Sequence, residues 1–289
     1  MKVLLYIFIS VFLLVSASAQ DVSGRRRSDR AMSELNGPVN TIVVESRILE
    51  APENTGLSGW LNSRTVYDRD GKMTNFVVFD DKGEITETAV IETDANGRKT
   101  KESRIRPDGT RMVSFIFRYD EHGNQTETDV LGANGAFLRG TRRTFDEKGK
   151  MTSFADLEEN GAIGCTTGTV FDDKGNWLKE SRRCQREWAG FDSVNDYAQT
   201  EHGKRIETRI FSTKGILTSR YVYETDKNGN QTDLEYEGQD NLREKETFEY
   251  SGRDSYGNWT TEIRTFWKVV DGTLTRYGLR RTTRTIKYF

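Results

Sequence analysis

Aromatic side chains are the residues of this chain best suited to binding chemistry. Trp177 and Trp259 each stand two residues after a glycine, and Trp267 lies eight residues beyond Trp259. Exposed tryptophan rings stack on sugar rings, and tryptophan is enriched at interaction hot spots. We therefore predict that Trp177, Trp259 and Trp267 bind a ligand, with packing into a hydrophobic core as the alternative.

A second aromatic group falls in residues 186–202, where the regular spacing of the glycines is interrupted. Trp188, Phe191 and Tyr197 lie in this stretch, which we predict to be a long irregular loop. Loops that interrupt a regular scaffold often carry function. We include these three residues in the predicted ligand site. The alternative is that they cover one end of a thin core.

Catalytic and metal chemistry finds little basis in the sequence. The two histidines, His122 and His202, each directly precede a glycine and are typical of solvated turn residues. The nucleophile-elbow, zinc-protease and phosphate-loop patterns do not occur. Acidic pairs such as Asp68 and Asp70 would cap turns, since calcium needs six to eight converging oxygens. We predict no catalytic residue, no metal and no cofactor, and hence a protein that is not an enzyme.

The two cysteines, Cys165 and Cys184, lie on either side of the segment 172–175, which reads DDKG. With that segment as the turn of a hairpin, the cysteines fall on adjacent strands within about one residue of facing each other. An exported protein meets an oxidising compartment, where a disulfide can form. Two free thiols remain the alternative.

Residues 1–19 have the form of a signal peptide, with Lys2 before an apolar run and an ASA sequence at 17–19. We predict export to the periplasm or the cell surface, and no membrane-spanning segment. Residues 20–40 are polar and basic, and we predict that they are disordered. The net charge is −2, and loss of Lys2 makes it −3. Without a basic surplus, no nucleic-acid partner is expected.

Glycine recurs on a regular lattice that defines the architecture. Nine glycines are separated by alternating steps of 12 and 14 residues, at positions 71, 83, 97, 109, 123, 135, 149, 161 and 175. Gly203, Gly215 and Gly229 resume the pattern. This alternation indicates an internal repeat of 26 residues with two turns per unit. The turns read like FDDKG at 79–83, in which aspartate accepts backbone N–H bonds and glycine supplies positive φ.

These hairpins predict an all-β antiparallel meander over residues 41–289. The alternating steps imply a shear of about one residue per strand, which is typical of barrels and strongly coiled sheets. A barrel of about 16–18 strands would be too wide for side chains to fill. We therefore predict an open or spiralling, strongly twisted sheet.

The segment 119–126, YDEHGNQT, resembles the YD repeat of the Rhs family, whose core reads Tyr-Asp-x-x-Gly-Asn-x-Thr. Residues 67–71, 228–232 and 256–260 are similar, and the resemblance covers roughly residues 62–261. It implies long β-hairpin sheets that spiral into shells, some enclosing toxins, and members that bind carbohydrate at cell surfaces. This chain is too short for a closed cage and has no recognisable toxin segment, so encapsulation is not implied.

Together these features predict an exported, non-enzymatic repeat protein that presents a sheet surface for binding. The expected partner is cell-envelope or extracellular carbohydrate. The alternative is a structural or protein-interaction module that pairs with another envelope protein through its sheet edges or the 186–202 loop. An outer-membrane barrel is disfavoured, because strands such as residues 98–105 lack an apolar residue at every second position.

Overall fold

The computed structural model describes residues 35–50, 62–147, 149–171, 177–185, 192–212, 214–238 and 243–289. Its regular structure in these residues is a set of antiparallel strands. The strands are β1 (Val39–Glu50), β2 (Asn62–Tyr67), β3 (Met73–Phe79), β4 (Ile85–Thr93), β5 (Lys99–Ile105), β6 (Arg111–Tyr119), β7 (Gln125–Gly132), β8 (Phe137–Phe145), β9 (Met151–Leu157), β10 (Ile163–Phe171), β11 (Trp177–Cys184), β12 (Asp192–Gln199), β13 (Lys204–Phe211), β14 (Leu217–Thr225), β15 (Gln231–Glu237), β16 (Arg243–Arg253), β17 (Trp259–Val270) and β18 (Thr273–Tyr288).

The glycine-containing turns have the predicted chemistry. At the first of them, the N–H of Gly71 donates to the carbonyl of Asp68 at 3.0 Å, and Gly71 has a φ of 78°. The N–H of Lys72 donates to Oδ1 of Asp68 at 2.9 Å. A residue with φ above zero closes a three-residue hairpin loop with a bulge. Residues 68–72 therefore reverse the chain between β2 and β3, with Asp68 accepting the N–H groups of Gly71 and Lys72.

The sheet closes into a barrel, so the prediction of an open or spiralling sheet is wrong. Each strand pairs with its neighbours in sequence, and β1 pairs with β18 as well as with β2. β1 pairs with β18 along its whole length, from Val39 opposite Tyr288 to Glu50 opposite Leu279. A wide barrel can close around water, as 16–18-stranded barrels do, and closure removes both unpaired edges. The sequence argument failed because it required side chains to fill the interior.

Alternation along each strand defines an inner and an outer wall. On β10, Cys165 and Thr167 are buried, whereas Thr166 and Gly168 between and beyond them are exposed. Because directly paired residues lie on the same face, the register of the strand pairs assigns the residues of the other strands to the inner or the outer wall. At a strand spacing of about 4.8 Å and a tilt of about 40°, a round barrel of this size has a diameter of roughly 35 Å. Most inner side chains therefore line a wall and do not meet across a packed centre.

A small apolar cluster lies at the seam where β1 meets β2 and β18. Leu35, Val39, Ile42 and Tyr67 are all at most 5% exposed, and Ile286 packs against them. Leu35 belongs to the segment 20–40 that we predicted to be disordered. The end of that segment is instead folded, and β1 begins two residues before the predicted start of the repeat domain. The signal peptide predicted over 1–19 lies outside the described residues.

The interruption predicted over 186–202 is also shorter than expected. Residues 192–199 form strand β12, which pairs with β11 and β13. The alternation of buried Ser193 and Asn195 with half-buried neighbours gives this stretch the pattern of a wall strand. The glycine lattice therefore breaks here without a break in the sheet. Within the described part of the chain, no helix is long and apolar enough to cross a membrane.

The outer wall carries ladders of ion pairs. Nη1 of Arg118 lies 2.6 Å from carboxylate oxygens of both Glu127 and Asp129, and Arg142 reaches Asp129 from the next strand at 2.8 Å. A second ladder crosses β13–β16 and joins Arg205, Glu207, Arg220, Glu237 and Arg243. Cross-strand ion pairs at these positions stabilise a sheet that has little apolar surface.

Candidate functional site

Tyrosines and glutamates meet on the inner wall between β14 and β18, and we call this set the tyrosine wall. It consists of Tyr221, Tyr236, Glu244, Glu246 and Tyr277. Tyr221 and Tyr236 are direct partners in the register, and their ring centroids are 4.8 Å apart. Tyr236 is in turn opposite Glu244 on β16. All five side chains are half-buried, so part of each faces the interior of the barrel.

Burial shifts the proton equilibria of the tyrosine wall. Desolvation, with smaller contributions from Tyr236 and Glu244, raises the pKa of Tyr221 to about 12. Desolvation and the nearby glutamates raise the pKa of Tyr277 to about 12. The pKa values of Glu244 and Glu246 are also raised by burial. The phenols of Tyr221 and Tyr277 are therefore neutral hydrogen-bond donors over the whole physiological range, next to the carboxyl groups of Glu244 and Glu246.

An arginine beside Glu246 holds its carboxylate in place. Arg264 pairs with Glu246, and its guanidinium lies 4.9 Å from the ring centroid of Phe248 and 5.1 Å from that of Phe266. Stacking between two rings fixes the plane of the guanidinium and hence the position of the Glu246 carboxylate. The tyrosine wall thus offers flat aromatic faces beside oriented polar groups.

The structure separates the aromatic residues that the sequence grouped as a ligand site. Trp259 is buried on the inner wall, with its ring 5.1 Å from that of Tyr250 and beneath the guanidinium of Arg284. Tyr197 lies on the inner wall of β12, five strands away. Trp267 is on the outer wall, where its Nε1 donates to Oγ1 of Thr247 at 3.3 Å. Tyr197, Trp259 and Trp267 therefore do not form one site.

The other three predicted site residues are described only in part or not at all. Trp177 begins strand β11, opposite Phe171, but its side chain lies outside the described part of the structure. Trp188 and Phe191 fall outside the described residues. Their role in ligand binding stays a prediction.

The cysteines face each other on the inner wall, and the structure joins them by a disulfide. Cys165 and Cys184 are direct partners in the register of β10 and β11.

Glu180 is a buried carboxyl group on β11, two residues before Arg182 and on the same face. It is only 3% exposed and accepts a hydrogen bond from Asn195 at 3.1 Å. Burial raises the pKa of Glu180 to about 7, and burial beside Glu180 raises the pKa of Tyr197.

Features that would indicate catalysis or a metal are weak in the described residues. His122 and His202 are exposed at turns, and each lies near only the glutamate that precedes it. No group of three or more histidine, cysteine or acidic side chains there could hold a metal ion. A shallow depression of about 150 Å³ lies on the outer wall and is lined by Arg205, Val222, Glu224, Asp233, Glu235 and Lys245.

Sequence reasoning missed the tyrosine wall because it followed tryptophan. The signal was available: Tyr221 and Tyr236 flank the Gly229 turn and are spaced so that a hairpin centred there places them opposite each other. Glu244 and Glu246 alternate with Lys245 on the next strand, which puts both carboxylates on one face. What the sequence could not show is that this face is the concave one.

Comparison with known proteins gives structural likeness at low identity. No family model and no curated protein matches the chain. A porin-like protein from Bacteroides uniformis ATCC 8492 is similar with a TM-score of 0.47 and 11% identity, over 88% of this chain and 99% of that one. A porin-like protein from Bacteroides vulgatus ATCC 8482 gives a TM-score of 0.36 and 13% identity, over 87% and 98%. The TcdB2–TccC3 structure without its hypervariable C-terminal region gives 0.28 and 10%, over 81% and 16%.

Proposed function

We propose that this chain is an exported, non-enzymatic binding protein that takes carbohydrate on the inner wall of its barrel. The observation that carries the proposal is the paired rings of Tyr221 and Tyr236 beside Glu244, all half-exposed to the interior. Rings of this kind stack on the apolar faces of sugars, while carboxylates accept hydrogen bonds from the hydroxyls. The signal-like segment at residues 1–19 supports an envelope or extracellular location.

The charged side chains of the outer wall support a barrel that is surrounded by water and not by lipid. A lipid-facing wall needs apolar side chains at alternate positions, and a charge there destabilises by several kcal/mol. On β6–β8 these positions carry Arg118, Glu127, Asp129 and Arg142. We therefore place the ligand-binding surface inside the barrel, and we assign the outer wall to solubility.

Closure of the sheet limits the alternative function, that of a structural or protein-interaction module. A structural module that pairs through its sheet edges would need a free edge, and β1 and β18 pair with each other. An interaction with another envelope protein would have to use the charged outer wall or the turns. No described contact favours such a partner over carbohydrate, so the inner wall remains the better-supported site.

The test is calorimetric titration of residues 20–289 with a panel of neutral and acidic oligosaccharides. Replacement of Tyr236 by alanine removes one ring of the pair and should weaken binding about tenfold. Trp267→Ala, which removes an aromatic ring from the outer wall, is the matched control and should bind like the wild type. Silence across the panel, or equal loss in both variants, would reject carbohydrate binding at the tyrosine wall.

A further inference from the structure

A buried cation lies on the inner wall away from the tyrosine wall. Arg143 on β8 is 9% exposed, and burial lowers its pKa. Its guanidinium lies over the ring of Phe154 at 5.3 Å, and its Nε is buried without a hydrogen-bond partner among the described residues. Asp156 is the carboxylate whose charge acts on Arg143. Burial of an incompletely paired charge is unfavourable, so such a group calls for an anion.

A second buried donor lies beside it. Thr141 stands two residues before Arg143 on the same wall and is 5% exposed. Its Oγ1, like Nε of Arg143, is buried and has no hydrogen-bond partner among the described residues. Residues two apart on a strand are about 7 Å apart, which lets both side chains reach one small ligand. Two unsatisfied donors at neighbouring positions point to the same kind of group, a hydrogen-bond acceptor.

The register shows which charges surround these two donors. Thr141 is opposite Asp156, and Arg143 is opposite Phe154, which in turn faces Thr167 on β10. The Asp156 carboxylate is already held by Arg182 through Nε at 3.1 Å and Nη2 at 3.0 Å.

Charge balance shows what is missing. Arg143 and Arg182 provide two positive charges and Asp156 one negative charge, so the group carries a net charge of +1. The charges of Asp156 and Tyr119 both affect the pKa of Arg143. The hydroxyl of Tyr119 is occupied as a donor to the carbonyl of Lys99 at 2.8 Å. Glu180 lies two residues from Arg182 on the same face of β11, and the charge of Arg182 opposes the rise in the pKa of Glu180.

We propose that Thr141 and Arg143 form a site for a carboxylate group carried by a small acid or by an acidic sugar. The net charge of +1 matches a monoanion, and the site already contains one carboxylate between arginine and the wall, that of Asp156. A guanidinium accepts a carboxylate in its plane through parallel N–H bonds, and the Thr141 hydroxyl adds a third donor. Phe154 supplies an apolar floor for the carbon skeleton of the ligand.

The experiment measures binding of acetate, glucuronate and glucose by calorimetry, with inorganic phosphate as a competing anion. Acetate and glucuronate should bind, and glucose should not bind at this site. Arg143→Gln should weaken glucuronate binding at least tenfold, and Thr141→Val should weaken it several-fold. Arg183→Gln, which removes a cation from the outer wall of β11, is the matched control and should leave the affinity unchanged.

Thermal unfolding provides a second measurement that does not depend on one variant folding normally. Glucuronate should raise the Tm of the wild type and of Arg183→Gln equally, and should raise that of Thr141→Val, which keeps the shape of the side chain, by less. Equal stabilisation of all three proteins overturns the proposal, as does tighter binding of phosphate than of any carboxylate. Tyr236→Ala should bind acetate normally, so failure of carbohydrate binding at the tyrosine wall is distinguishable from failure here.

Discussion

At the scale of single residues, the turn glycines and aspartates behave as their chemistry dictates. Asp120 accepts the N–H of Asn124 at 2.8 Å and also the side-chain amide of Asn124 at 2.9 Å. The hydroxyl of Thr126, two residues further along the chain and in β7, donates to the backbone carbonyl of Arg118, at the bulge beside the turn. A threonine at this position therefore satisfies the irregular backbone of the bulge.

Because the turn glycines have positive φ, we predict that alanine lowers the stability more at a turn glycine than at a glycine within a strand. Gly83 has a φ of 81°, and a Cβ there would meet nothing within 4 Å, so only the backbone conformation opposes a side chain. Gly83→Ala should lower the free energy of unfolding by about 1 kcal/mol. Gly168→Ala, in the exposed wall of β10, should be neutral or stabilising by about 0.5 kcal/mol. Urea unfolding measures both, and equal effects would refute a role for φ.

Glu180 predicts a pH-dependent stability. Its pKa in the folded protein is about 7, above the ordinary value of 4.5, because it is buried. A carboxyl group with a raised pKa favours folding below pH 4.5, and that stability is lost as the pH rises through 7. The loss is roughly 3 kcal/mol. Glu180→Gln should therefore be less sensitive to pH between 5 and 8 in urea unfolding. Identical pH profiles for the two proteins would contradict this.

At the scale of elements, neighbouring strands are held by different means around the barrel. β6–β8 are joined by outer ion pairs, and β10 and β11 by the disulfide between Cys165 and Cys184. β1, β2 and β18 share the apolar cluster around Ile42. An apolar content of 34% does not allow one continuous core. Each of these groups of strands is therefore stabilised by its own local interaction.

The disulfide makes a measurable contribution at this scale. It links residues separated by 19 positions in sequence. Closing a loop of that length in the unfolded chain stabilises the folded state by about 3 kcal/mol. The double variant Cys165→Ser/Cys184→Ser should unfold at a lower Tm than the oxidised wild type, and a reducing agent should lower the Tm of the wild type only. A wild type that is insensitive to reduction would show that the bond does not form.

At the scale of the whole molecule, the sequence predicted an all-β antiparallel meander of hairpins, but it did not predict closure. Every turn follows from a few adjacent residues such as those around Gly71, so local chemistry determines it. Closure depends on β1 meeting β18, a pairing of residues more than 200 positions apart that no local motif encodes. The same is true of the sites. Tyr221 and Glu244 can be assigned to one face from the sequence, but only the closed barrel shows that this face is the inner one.

Closure itself can be tested by a cross-link. The hydroxyls of Ser46 and Thr282 are 3.1 Å apart across the seam between β1 and β18. A chain carrying Ser46→Cys and Thr282→Cys should form a disulfide between these positions, visible by mass spectrometry of a non-reduced digest. Ser46→Cys with Ser193→Cys, on strands that are not neighbours, should not cross-link. An unlinked first pair would show that the sheet is open in solution.

The seam also orders the folding of the chain. The partners of β1 across it are supplied by the last strand, so β1 keeps one edge unpaired until the C-terminal residues have reached it. Contacts this distant in sequence form slowly, because the loop-closure entropy must be overcome first. Every other strand can pair with the hairpin that precedes it as soon as that hairpin exists. Until the final strand pairs with β1, the folding sheet therefore has two unpaired edges, and closure removes the edges that could recruit another chain.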